Sequence, residues 1–116
     1  MRIEQNTAFS ELLEIAGVDG ARYAVAEMDN LGPRLLQEIQ DGMRAADGLA
    51  VAEAAHSLKS SCGALSLNRS ADLADTLEDK ARSGGDAGDL SDLAAALQET
   101  FREELETVRS YLDRQT

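Results

Sequence analysis

The sequence is short of aromatic residues, proline and cysteine, and each shortage narrows the fold. Of its 116 residues 3 % are aromatic, none is tryptophan, and the one proline is Pro33. Strands favour aromatic and β-branched side chains, so a chain this poor in aromatics and rich in Ala and Leu suits helices instead. Cysteine also occurs once, at Cys62. No intramolecular disulfide can form, and a reducing, cytoplasmic setting is expected. Basic residues are scarce: 11 Lys and Arg against 22 Asp and Glu leave a net charge of −11. That balance excludes nucleic acid and anionic membrane surfaces as partners, because both need clustered cations. No apolar run approaches the roughly 20 residues of a membrane span. The opening residues Met1-Arg2-Ile3-Glu4-Gln5-Asn6 lack the apolar stretch of a signal peptide. Finally, there is a single histidine, His56, so chemistry that needs two imidazoles is excluded.

What is present is helical periodicity. A short segment spans about Ala8 to Ala16, with Phe9, Leu12, Leu13 and Ala16 on one face, Asn6 or Thr7 as its cap and Gly17 as its end. A second runs from Asp19 to about Ala46 on Val25, Met28, Leu31, Leu35, Leu36, Ile39 and Met43. Pro33 lacks a backbone donor, which predicts a kink or break near Asn30 to Gly32. Ala45-Ala46-Asp47-Gly48 reads as a tight turn with Asp47 capping the next helix, about Leu49 to Ser66. A fourth segment covers about Arg69 to Ser83, with Ala71, Leu73, Ala74, Leu77 and Ala81 inward. Gly84 to Asp89 reads as a loop. The last helix, about Leu90 to Leu112, carries the stripe Leu90, Leu93, Leu97, Phe101, Leu105, Val108 and Leu112, close to the helical period. Long amphipathic helices joined by short loops predict an all-α, antiparallel up-down four-helix bundle, with the short additional N-terminal helix over one end. No linker divides the chain, so residues 1–116 are expected to form one domain.

The helix that carries the histidine is the informative one. At about 100° per residue, Val51, Ala55, Leu58, Cys62 and Leu65 fall in a sector about 80° wide, the expected core face. His56 lies about 140° from its centre, Ser60 about 180°, Gly63 about 120° and Lys59 about 80°. The histidine therefore faces water with Lys59 one turn on. Around it the side chains are small: Ser57, Ser60, Ser61 and Gly63. A glycine within a helix costs up to about 1 kcal/mol relative to alanine, so Gly63 suggests close approach by another surface. Imidazole is a competent nucleophile near neutral pH. Phosphoryl transfer depends on positioning and on neutralising charge, and a nearby cation on a bulk-free surface suits both.

Other chemistries fit less well. Glu53-Ala54-Ala55-His56 has the Glu-x-x-His spacing of di-metal bundles, but those sites need two such motifs and further inward carboxylates. Cys62 and His56 diverge by about 120° and have no further ligands in view, which excludes a metal pair. Cys62 reads as a core residue. Gly84-Gly85 lacks the strand and the Lys-Ser/Thr of a nucleotide loop, so no ATP site is expected.

At these residues the chain resembles a known family. Ala55-His56-Ser57-Leu58-Lys59-Ser60-Ser61-Cys62-Gly63-Ala64-Leu65 is similar to the signature of histidine-containing phosphotransfer (HPt) domains, roughly A-H-x-L-K-[GS]-[SA]-[SAC]-x-x-[LIV]-G. Leu73 to Arg82 resembles the family's L-a-x-x-L-E-x-x-a-R stretch, and the likeness spans about residues 8–112. Ser60 stands where Gly is commonest, Ala64 where Asn is common and Ser66 where Gly is common. The resemblance implies a phosphoryl carrier rather than an enzyme, in a multistep His–Asp relay of a two-component system. His56 would accept and donate the phosphoryl group, and Lys59 would stabilise its charge. Ser57, Ser60, Gly63 and Glu53 would line the surface that docks response-regulator receiver domains. Hybrid histidine kinases are the other implied partners. The receiver, not this chain, would hold Mg²⁺, so no cofactor or metal is expected here. Family carriers usually act as monomers, and Met1 fits a free-standing one. The competing expectation is an adaptor that binds receivers or kinases without being phosphorylated.

Overall fold

Asp47 shows how local chemistry sets the helix boundaries. Its side chain accepts the Ala50 N–H at 3.1 Å, so one helix starts immediately after the turn that ends another. The computed structural model describes residues 7–115, with side chains from Ser10 onward. It contains four helices: α1 (Thr7–Arg44), α2 (Gly48–Ala64), α3 (Asn68–Arg82) and α4 (Ala87–Asp113). No strand occurs among the described residues. The cap assigned to Asn6 or Thr7 and the inward face of Phe9 lie outside the described residues and side chains.

In α1 the helical path breaks once, at Gly17, whose φ of 72° and ψ of 179° suit glycine alone. A straight helix of 38 residues would be about 57 Å long, yet the longest dimension of the molecule is 45 Å. The Gly17 turn lets α1 fit.

The interruption expected at Asn30 to Gly32 does not occur. Residues 18–44 keep helical dihedrals through Pro33. Proline removes only one intrahelical bond, to the Asp29 carbonyl, and tertiary packing offsets the loss. Gly32 lies so close to α4 that an added Cβ would sit 2.3 Å from Phe101 Cζ. Met28 and Leu35, one turn on either side, are buried. A second correction concerns Gly84 to Asp89. The helix begins at Ala87 within that stretch, because the Asp86 side chain accepts the Gly88 N–H at 2.9 Å.

α1 packs on α2, α2 on α3, α3 on α4, and α4 closes back onto α1. The core lies between them: Ile39, Val51, Leu58, Leu77, Leu97, Val108 and Leu112 are almost wholly buried. Burying each such side chain contributes about 1.5–3 kcal/mol. The Val51, Ala55, Leu58, Cys62 and Leu65 face expected of α2 is buried throughout. The start of α3 lacks a cap of its own. Glu104 of α4 supplies one, accepting the Arg69 N–H at 3.2 Å and, at 2.7 Å each, the Ser70 N–H and hydroxyl. This bridge ties the position of α3 to that of α4.

Candidate functional site

His56 and Lys59 are one turn apart on α2, and α3 runs beside them. On α3, the sequence places Asp75, Glu78 and Arg82 at spacings of three and four, on one stripe. The two stripes meet. The His56 side chain is 55 % exposed, as its position opposite the core face requires. Its Nδ1 lies 3.2 Å from the Glu78 carboxylate. Lys59 Nζ donates to Asp75 at 3.0 Å and to Glu78 at 3.3 Å. Arg82 donates to Glu78 Oε2 from two guanidinium nitrogens, at 3.1 and 3.0 Å.

Glu78 is the hub. Its side chain is only 9 % exposed because it follows Leu77 and shares the inward edge of α3 with Ala74 and Ala81. A carboxylate there would be costly unless its oxygens were bonded. Burial pushes its pKa up, but hydrogen bonds from His56, Arg82 and Lys59 outweigh burial and bring it down to about 2. Lys59 is held above its ordinary value, first by the hydrogen bond to Asp75 and then by that to Glu78.

The contact with Glu78 sets the tautomer of the ring. An ionised Glu78 can only accept, so the hydrogen bond at His56 Nδ1 needs the proton on Nδ1. In the neutral imidazole Nε2 then carries the free lone pair, on the side of the ring away from Glu78. The arrangement is an exposed imidazole, oriented through one nitrogen, with two cations within one network.

Ser60 and Gly63 are exposed further along α2, and a Cβ added at Gly63 would meet nothing within 4 Å. Glu53 and Ser57 are exposed as well, but they open onto a groove between α1 and α2 with Glu38, Asp41 and Asp47, not onto the α3 side. Cys62 is fully buried, and burial, aided by the Glu104 charge, pushes its thiol up to about 12. Among the described residues, no group of three or more His, Cys, Asp and Glu is placed to hold a metal ion.

Sequence reasoning missed Glu78 as a site residue, although it stands within the stretch from Leu73 to Arg82. The available signal was a carboxylate on an otherwise apolar stripe, with Arg82 four residues on. A charge at a buried position needs partners, and the nearest helix offers His56 and Lys59.

A family model for the Hpt domain matches residues 24–111, more than half of the chain. The chain belongs to the Hpt domain family. Hpt domains are phosphocarriers rather than conventional enzymes: they carry phosphoryl groups on histidine in two-component phosphorelays, working with receiver domains and histidine kinases. The matched span contains all of α2 and α3 and hence the whole His56–Glu78 network. No curated protein and no solved structure matches the chain. Among the described residues, no helix is long and apolar enough to cross a membrane.

Proposed function

We propose that this Hpt domain carries a phosphoryl group on Nε2 of His56, exchanging it with the aspartate of a response-regulator receiver domain. The single observation that carries the reading is the bond between His56 Nδ1 and the Glu78 carboxylate at 3.2 Å, which leaves Nε2 as the free nucleophile of the only histidine. In the step, the Nε2 lone pair forms an N–P bond. The P–O bond to the receiver aspartate breaks, and that carboxylate leaves with the electron pair. The ring becomes an imidazolium. Its proton stays on Nδ1, and the ionised Glu78 balances the new positive charge, as a carboxylate does behind an attacking or proton-accepting histidine. Lys59 offsets the charge of the incoming phosphoryl group, and the reverse step returns the group to a receiver.

In this reading Ser57, Ser60, Gly63 and Glu53 belong to the docking surface, with Gly63 leaving room for a receiver backbone. The receiver supplies Mg²⁺; this chain needs no cofactor and no ATP. Residues 1–116 act as one domain, a cytoplasmic monomer whose helices alternate in direction, with the segment from about Ala8 to Ala16 as an added helix over one end. Hybrid histidine kinases are its other partners in the relay.

The test is phosphotransfer from a phosphorylated receiver to the wild-type chain and to His56→Gln. Acid-labile label on the wild type alone is the expected result. Receiver binding without label on either protein would overturn the reading in favour of a non-catalytic adaptor.

A further inference from the structure

Lys59 is already engaged before any phosphoryl group arrives. An ammonium has three donors, and Asp75 and Glu78 take two of them. Glu78 is needed at the ring. Asp75 touches neither the ring nor the core: its side chain is 52 % exposed, and its one bond in the network is to Lys59. The network as it stands balances two cations, Lys59 and Arg82, against two anions, Asp75 and Glu78. A phosphoryl group adds about two negative charges. It therefore competes with Asp75 for the lysine.

We propose that Asp75 tunes the phosphoryl-transfer potential of His56: by holding Lys59, it makes the phosphorylated state less stable and a better donor. Asp75 is thus a positioning residue, acting through Lys59. The inference rests on His56 being the phosphoryl carrier. It extends that reading by assigning the direction in which this site biases the exchange.

The experiment uses the full chain equilibrated with phosphoramidate and a fixed excess of ammonium. The His56 N–P bond forms as the ammonia N–P bond breaks, and ammonia leaves with the electron pair and takes up a proton. The phosphorylated fraction is read by ³¹P NMR, approached from both sides, for wild type, Asp75→Asn, Asp79→Asn, Lys59→Ala and the Lys59→Ala/Asp75→Asn double variant. Asp79→Asn removes the same charge from the exposed side of α3 without touching Lys59, and circular dichroism confirms the fold of each variant. Asp75→Asn should raise the equilibrium constant for phosphorylation about fivefold, the order of one exposed ion pair. Asp79→Asn should leave it within about a factor of 1.5, the size of a distant screened charge. The Asp75 effect should vanish in the Lys59→Ala background. An unchanged constant in Asp75→Asn, an equal rise in Asp79→Asn, or an effect that persists without Lys59 overturns the inference alone. Absence of phosphohistidine in the wild type overturns the carrier reading and the inference together.

Discussion

Glu78 governs the behaviour of the site at the scale of single residues. Its carboxylate is held at about 2 against an ordinary value of 4.5. A depressed acid contributes stability that is fully present above the unfolded value and is lost as pH falls through the folded one. Glu78→Gln is therefore expected to lower Tm at pH 7, and the gap to wild type should close as pH falls from 4.5 to 2. Thermal melts of both proteins across that range check the window; a gap that persists at pH 2 would contradict it. Lys59 is different, because its side chain is a third exposed and lies off the core. Lys59→Ala should leave Tm almost unchanged while slowing transfer from a phosphorylated receiver about tenfold, equivalent to about 1.4 kcal/mol in the barrier. Equal loss of stability and of transfer would make the lysine structural.

The elements were largely legible in the sequence, and the departures have physical reasons. Apolar spacing marked the buried faces of α2, α3 and α4 because each helix buries one stripe. Pro33 misled because a local rule about backbone bonding was outweighed by the contact of Gly32 with Phe101 on a helix distant in sequence. The start of α4 was hidden because glycine and aspartate mark both loops and helix caps. At the site, His56 and Lys59 could be placed because they share one helix. Glu78 and Asp75 could not, since their partnership depends on the register between α2 and α3. That register is set in part by Glu104 capping α3 from α4. Two substitutions test these helix contacts. Gly32→Ala improves helix propensity by about 1 kcal/mol, but the new methyl meets a buried ring, and overpacking costs about 1–3 kcal/mol. Net destabilisation in a denaturant titration is the expected outcome; stabilisation would show that α1 and α4 can move apart freely. Gly63→Leu is the opposite case, since its Cβ meets open space. It should keep its stability within about 0.5 kcal/mol of wild type, as surface changes do, yet weaken receiver binding at least tenfold. Unchanged affinity would place the docking surface elsewhere.

At the scale of the molecule, four helices hold one network at the junction of two of them. The net charge of −11 is spread over exposed faces, while Lys59 and Arg82 are gathered with Glu78 beside the single imidazole. In the proposed reading, these two cations offset the charge of a phosphoryl group on His56. It also depends on the ring being held by one nitrogen so that the other is free. The most direct test is ¹⁵N and ³¹P NMR of the histidine-labelled chain after exposure to a phosphorylated receiver. One phosphohistidine, with phosphorus on Nε2 of His56 and the proton on Nδ1, is the predicted result. Phosphorus on Nδ1, or no phosphohistidine while the receiver binds, would contradict it.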